Sequence, residues 1–293
     1  MKKYLHLTDK KAQSFIDFFA LYGRIKNIQD CHSVLKKETV CRKKVIFLQY
    51  KNRGLRHELK YIISLRDYYE LKTRAKVFMR HDEHGDNGRY FIRSLYLDDV
   101  MLSNYNQKMD GWNRQRKYRI RIYDLSDEII KFEIKDKYDS CISKVSDTVS
   151  MEEFKSLVQG DYEFVSDMII SNSDEGKRKA LRMAYIDNAT KILLPQVVVD
   201  YDREVFICNE GNVRMTFDMN LRAGDALGDI FDPELVTVPA YEDGCMILEV
   251  KYDDYLPDFI KKLLKPLGRW QSSQSKYAMC CIAQANYLGK DVF

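Results

Sequence analysis

The chain has 293 residues, 45% of them hydrophobic and 31% charged, with a formal net charge of +4. This is enough for one large domain or two small ones, and the composition excludes a disordered or membrane-embedded protein. No apolar run is long enough to cross a bilayer, and the start, Met1 to Asp9, lacks the continuous apolar core of a secretory signal.

Seven cysteines stand at scattered positions without a CxxC spacing. An odd, unpatterned set argues against a disulfide framework or a zinc knuckle and points to a reducing cytoplasm. The charge is unevenly placed: residues 1–53 hold 13 Lys or Arg against 4 Asp or Glu, and the rest holds 35 against 40. A nucleic-acid binder usually spreads positive charge over its surface, so basic groups inside an otherwise acidic domain point to an enclosed anion site and to no nucleic-acid partner.

In chain order, residues 8–22 carry an amphipathic helical pattern, with Thr8 as cap and Gly23 as stop. Residues 24–53 are lysine-rich and weakly periodic, so 1–53 read as a basic N-terminal extension, helical or poorly ordered, preceding a domain at 54–293. From Leu55 the pattern becomes regular: a strand at 56–63, a helix opened by Ser64 and running to Met79, and a loop at Gly85–Gly88 in which His81 and His84 border a solvated turn. A strand at 90–98, a short helix at 99–108 and strands at 116–124, 128–137 and 140–148 follow. Ser150 and Glu153 form a capping box for a helix at 151–158. A helix at 174–192, strands at 196–208, 211–220 and 245–253, and helices at 257–267 and 273–288 complete an α+β chain with mostly antiparallel neighbours.

Several strands place charges on alternate residues: Arg56-His57-Glu58-Leu59-Lys60, Lys117-Tyr118-Arg119-Ile120-Arg121, Lys131-Phe132-Glu133-Ile134-Lys135, Asp200-Tyr201-Asp202-Arg203 and Leu248-Glu249-Val250-Lys251. Because residues i and i+2 share a face, each strand has one charged and one apolar face. In an open sheet the charged face is solvated; in a barrel with helices outside it becomes a charged interior. A solvated face is the ordinary reading of an amphipathic strand; arginine abundance weighs against it here, since the planar guanidinium suits phosphate and a row of Arg repels itself unless an anion neutralises it.

The order of these motifs, with Arg93-Ser94-Leu95-Tyr96-Leu97-Asp98, Val213-Arg214-Met215-Thr216-Phe217-Asp218 and Ser275-Lys276-Tyr277, resembles the VTC domain over about 55–283. That is the polyphosphate polymerase domain of the vacuolar transporter chaperone type, one of the triphosphate tunnel metalloenzymes. The resemblance implies an eight-stranded antiparallel closed tunnel barrel with helices packed outside. By the same resemblance Lys60, Arg119, Arg121, Lys135, Arg203, Arg214 and Lys276 would carry the catalysis on phosphate oxygens. Glu58, Lys117, Tyr201, Lys251 and Ser275 would bind substrate. Glu249, with Glu133 and Asp218, would hold a divalent metal, Mn²⁺ or Mg²⁺.

The implied activity is transfer of the γ-phosphate of ATP to a growing inorganic polyphosphate or pyrophosphate acceptor. Hydrolytic tunnel enzymes usually begin Glu-x-Glu-x-Lys, whereas this chain has Arg56 at the first position, which favours transfer over hydrolysis. The alternatives are a triphosphatase and a non-catalytic polyphosphate sensor on the same barrel. With no spanning segment, chain export would need a membrane-protein partner. Leu55-Arg56-His57-Glu58 also resembles the start of bacterial members; translation from a leucine codon there would leave 1–53 outside the native product.

Overall fold

The computed structural model describes residues 56–138, 141–170, 178–265 and 272–289. The extension at 1–53 and its helix lie outside the described residues. The strands are β1 (His57–Ser64), β2 (Arg80–His81), β3 (Arg89–Asp98), β4 (Arg114–Tyr123), β5 (Ser126–Tyr138), β6 (Cys141–Val149), β7 (Leu194–Cys208), β8 (Val213–Gly224), β9 (Thr237–Pro239) and β10 (Cys245–Tyr252). The helices are α1 (Leu65–Phe78), α2 (Ser103–Met109), α3 (Met151–Val158), α4 (Glu163–Ile170), α5 (Lys179–Lys191), α6 (Asp258–Leu264) and α7 (Lys276–Tyr287). None of these helices is long and apolar enough to cross a membrane.

Local chemistry sets the boundaries. Ser64 opens α1 and Ser150 opens α3 through reciprocal capping boxes with Asp67 and Glu153. The helix expected from residue 99 begins only at Ser103, because the Asp98 and Asp99 carboxylates accept the backbone N–H groups of Met101, Ser103, Asn104 and Tyr105. The strand expected from residue 211 starts at Val213, since Gly211, with φ of 67°, sits in a short 3-10 turn. Helix α4 and the short strands β2 and β9 are additions to the expected elements.

The main sheet runs β1-β10-β8-β7-β3-β4-β5-β6, with β2 attached to β7 and β9 to β8. All neighbours are antiparallel. Eight strands make the main path, as expected, but among the described residues the sheet is not closed by hydrogen bonds. The expectation of a closed barrel is corrected on that point. Instead, the Ser272 N–H donates to the Lys60 carbonyl of β1 at 2.8 Å. Lys135 of β5 reaches Glu58 of β1 at 3.5 Å. Strand β1 thus meets β5, one strand short of the other end of the path, through side chains, and an irregular segment bonds to its edge.

Three packed layers hold this curl. Tyr118, Ile120, Ile122, Phe132 and Ile134 point outward into a core with Phe154, Leu157, Leu181 and Ala184 from α3 and α5. Met215, Phe217, Leu248 and Val250 do the same against α1 and α6. Each such side chain contributes about 1.5–3 kcal/mol when fully buried. The third layer lies on the opposite, inner face, where Tyr277, Ala278 and Cys280 of α7 cover Ile92, Val197, Val199, Leu221, Ala223 and Ile247. Helix α7 therefore covers part of the inner face and leaves the charged part open.

Candidate functional site

The strand registers put the charged residues on the inner face. Lys60 opposes Glu249 and Glu58 opposes Lys251 across β1 and β10. Thr216 opposes Glu249 and Arg214 opposes Lys251 across β8 and β10. Arg203 opposes Asp218, Arg119 opposes Glu133, and Lys117 opposes Lys135. The period of two in each strand alone produces this segregation, because the intervening residues fill the outer cores.

The ions pair in two groups. Around β1, β8 and β10, Lys276 Nζ stands 2.6 Å from Asp218 and 2.9 Å from Glu249. Arg203 forks onto Asp218 at 2.6 and 2.8 Å. Lys60 lies 3.2 Å from Glu249, and Lys251 lies 3.3 Å from Glu58 and 3.4 Å from Glu249. Around β4 to β6, Arg119 Nε donates to Glu133 at 2.7 Å, and Lys144 donates to the same carboxylate at 2.6 Å. Arg121 donates to Ser94 Oγ at 3.1 Å and to the Tyr201 hydroxyl at 2.8 Å. The Tyr201 ring also carries Arg203 and Lys276, 5.2 and 5.1 Å from its centroid.

A family model described as the VTC domain matches residues 55–284. The chain belongs to the VTC domain family. No curated protein matches the chain. Among solved structures, a "putative adenylate cyclase" of Bacillus halodurans is similar at 13% identity and a TM-score of 0.45, over 76% of this chain and 96% of that one. The PH1012 protein of Pyrococcus horikoshii OT3 is similar at 10% identity and a TM-score of 0.41, over 77% and 99%.

In this VTC domain the inner cations, Lys60, Lys117, Arg119, Arg121, Lys135, Lys144, Arg203, Arg214, Lys251 and Lys276, outnumber the inner carboxylates Glu58, Glu133, Asp218 and Glu249. Asp82, from the loop after β2, adds one more carboxylate, 2.9 Å from Arg214. Burial works against the charge of Glu58, but Lys135, Lys60 and Lys251 outweigh it and hold the carboxyl down to about 2. Glu249 and Asp218 are held ionised in the same way, the first by Lys276, Lys60 and Lys251, the second by Arg203 and Lys276. Lys135 goes the other way: burial and the neighbouring Lys60 pull its ammonium down to about 7. Burial, then Lys60, Lys135, Lys108 and Lys137, lower Lys117 strongly.

The three carboxylates expected to hold metal divide between the groups: Asp218 and Glu249 share Lys276, while Glu133 stands with Arg119 and Lys144. Among the described residues no three His, Cys, Asp or Glu side chains converge as a preformed cage. Two carboxylates do meet: Glu58 and Glu249 share Lys60 and Lys251, with the buried Glu58 Oε1 3.3 Å from the Lys251 ammonium. An Mg²⁺-type ion commonly takes one or two carboxylates and completes its shell with substrate phosphate and water, so this donor pair fits one.

Arg56 sits at the rim, where Asp253 at 2.9 Å and the Asn212 carbonyl at 2.7 Å hold it. Ser275 caps α7 and accepts from Lys117 at 2.7 Å. The sequence patterns missed Lys144, Tyr96 and Asp82. Lys144, Ser146 and Thr148 share a face by the period of two, a signal that was present; Tyr96, whose hydroxyl accepts from Arg119 at 3.1 Å, was hidden in an apolar run.

Proposed function

We propose that this VTC-family protein is a polyphosphate polymerase that transfers the γ-phosphate of ATP to an inorganic polyphosphate or pyrophosphate acceptor. The observation that carries this is the excess of inner-face cations over carboxylates, with arginine forks facing lysines across one curled sheet. Such a face repels itself until a chain of phosphates neutralises it.

The proposed reaction is an in-line displacement. An anionic terminal oxygen of the acceptor attacks the γ-phosphorus, the new P–O–P bond forms, and the bond from the γ-phosphorus to the β–γ bridging oxygen breaks to release ADP. The acceptor oxygen is already anionic, so no general base is required of the protein. Arg119, Arg121, Arg203 and Lys276 would hold the phosphoryl oxygens in line and neutralise charge, the main contributions in phosphoryl transfer. Lys60, Lys135 and Arg214 would hold neighbouring phosphates. Glu249 with Glu58 would hold a divalent ion, Mn²⁺ or Mg²⁺, which would supply further charge neutralisation to the phosphates. Glu133 and Asp218 would orient their guanidinium partners.

Incubation with ATP and Mn²⁺ or Mg²⁺, followed by gel separation, tests the proposal. Ladders of phosphate chains support it. Stoichiometric orthophosphate without chains would make the protein a triphosphatase, and tight chain binding without turnover would make it a sensor.

A further inference from the structure

Helix α1 meets the domain with one face and leaves the other bare. Tyr68, Leu71 and Ala75 are buried in the core outside β8 and β10, the pattern of an amphipathic helix packed on a sheet. The opposite face of such a helix is ordinarily polar, and part of this one is not. Leu65, Tyr69 and Val77 are spaced by four and eight residues, so they follow one outward line along the helix. They are 48, 60 and 71% exposed, and Phe78 at the end of the helix is 56% exposed. Over the 14 residues of α1 this line runs for about 20 Å.

Helix α6 extends the surface. Its Ile260, Leu263 and Leu264 enter the same core, and its Phe259 ring packs 5.5 Å from that of Phe78. The exposed Lys261 and Lys262 therefore project away from the core, on the side of the domain that carries the bare face of α1.

The charge of this surface runs against that of the domain. Residues 65–80 and 258–265 hold 8 Lys or Arg against 3 Asp or Glu, whereas the rest of residues 54–293 holds 27 against 37. Half of these cations are committed: Lys72 to the buried Glu204, Arg74 to Glu70, Arg80 to Glu83 and Lys261 to Asp258. Arg66, Lys76, Lys262 and Lys265 are exposed and make no ion pair among the described residues.

These features choose between partners. A protein that grips a helix does so with a groove, and the grip needs a few close-packed anchors. Here the apolar groups are spread along a convex ridge, with a tyrosine among them and long, flexible cations beside them. That is the make-up of a helix lying in the plane of a membrane surface. Apolar side chains enter the headgroup boundary, tyrosine sits at the interface, and Lys and Arg stretch along it to anionic headgroups.

We propose that the outward face of α1, with the lysines of α6, is a docking surface for an anionic lipid bilayer. Both helices back the outer face of β8 and β10, so docking leaves the inner face of the sheet free. The proposal does not depend on the reaction described above.

The test is flotation of the full chain with vesicles of phosphatidylcholine mixed with phosphatidylglycerol, and with vesicles of phosphatidylcholine alone. Wild type should float with the anionic vesicles, less so as salt is raised, and should stay behind with neutral ones. Arg66→Gln/Lys262→Gln should lose about fivefold in affinity for each cation removed. Leu65→Gln/Val77→Gln, which keeps every charge, should lose at least about tenfold. All four side chains are exposed, so both variants should melt with wild type, which ties a loss of binding to the surface itself. Binding unchanged in both variants would place the lipid contact elsewhere and overturn the proposal. Release of wild type by inorganic triphosphate at constant ionic strength would assign the lipid to the inner face and overturn it as well. Retention on immobilised polyglutamate without flotation would make this a protein-docking surface and reject the bilayer.

Discussion

The Lys276 ammonium, at the first residue of α7, stands 2.6 Å from the Asp218 carboxylate of β8, whose side chain is wholly buried. This contact ties the helix that covers the inner face to the strand that carries the arginine forks. Replacement by Lys276→Met would leave Asp218 to Arg203 and remove a cation from Glu249. A buried charge left wholly unpaired costs about 3–5 kcal/mol, so with Arg203 still in place the expected loss is about 2 kcal/mol. Urea unfolding measures it, and an unchanged midpoint would contradict the structural role given to the contact.

Glu249→Gln removes one of two carboxylates that meet beside Lys60 and Lys251. Loss of several kcal/mol of transition-state stabilisation corresponds to at least about 100-fold in turnover. Triphosphate binding without metal should tighten, because the inner face becomes more positive. Turnover equal to wild type would remove Glu249 from the proposed mechanism.

Lys135 is held at about 7 in the unliganded fold, against 10.5 for an ordinary lysine. Between those values the unfolded chain binds more protons than the folded one, so this residue adds stability as pH rises from about 7 towards 10.5. A bound triphosphate favours the ammonium form, so binding at pH above about 7 should take up protons. Calorimetry in two buffers of different ionisation heat reads that uptake, which should shrink in Lys135→Met.

Glu58 is likewise held below its ordinary value, but by lysines that favour its charged form. Its folded value of about 2 lies below the ordinary 4.5, so the stability from its lysine partners is complete above the higher value and is lost as pH falls through that interval towards the lower. Acid titration of stability should show this loss in wild type and less of it in Glu58→Gln.

Arg56→Ala should be nearly silent. The side chains of Arg56 and Asp253 are 42% and 41% exposed, and exposed ion pairs contribute about 0–1 kcal/mol. Chain synthesis should also persist, since Arg56 turns to the rim. A large loss of synthesis would place position 56 on the phosphate path.

The sequence carried the two-faced strands because alternation is a local property: Lys117, Arg119 and Arg121 share a face whatever they pair with. The caps at Ser64 and Ser150 were equally local. The order of short motifs was enough to indicate the VTC family before any geometry. Pairing was not legible, since nothing near Asp218 in the chain specifies Lys276, and nothing near Lys135 specifies both Lys117 and Lys144 across from it. The sequence by itself determined which side chains share a face, through the fixed period of the strand. Only the tertiary structure decided which charges are neutralised and which are left opposed, and that, among the described residues, β5 reaches β1 through Lys135 and Glu58. Strand register and curl are set by the packing of all three cores together, and that is a property of the whole chain.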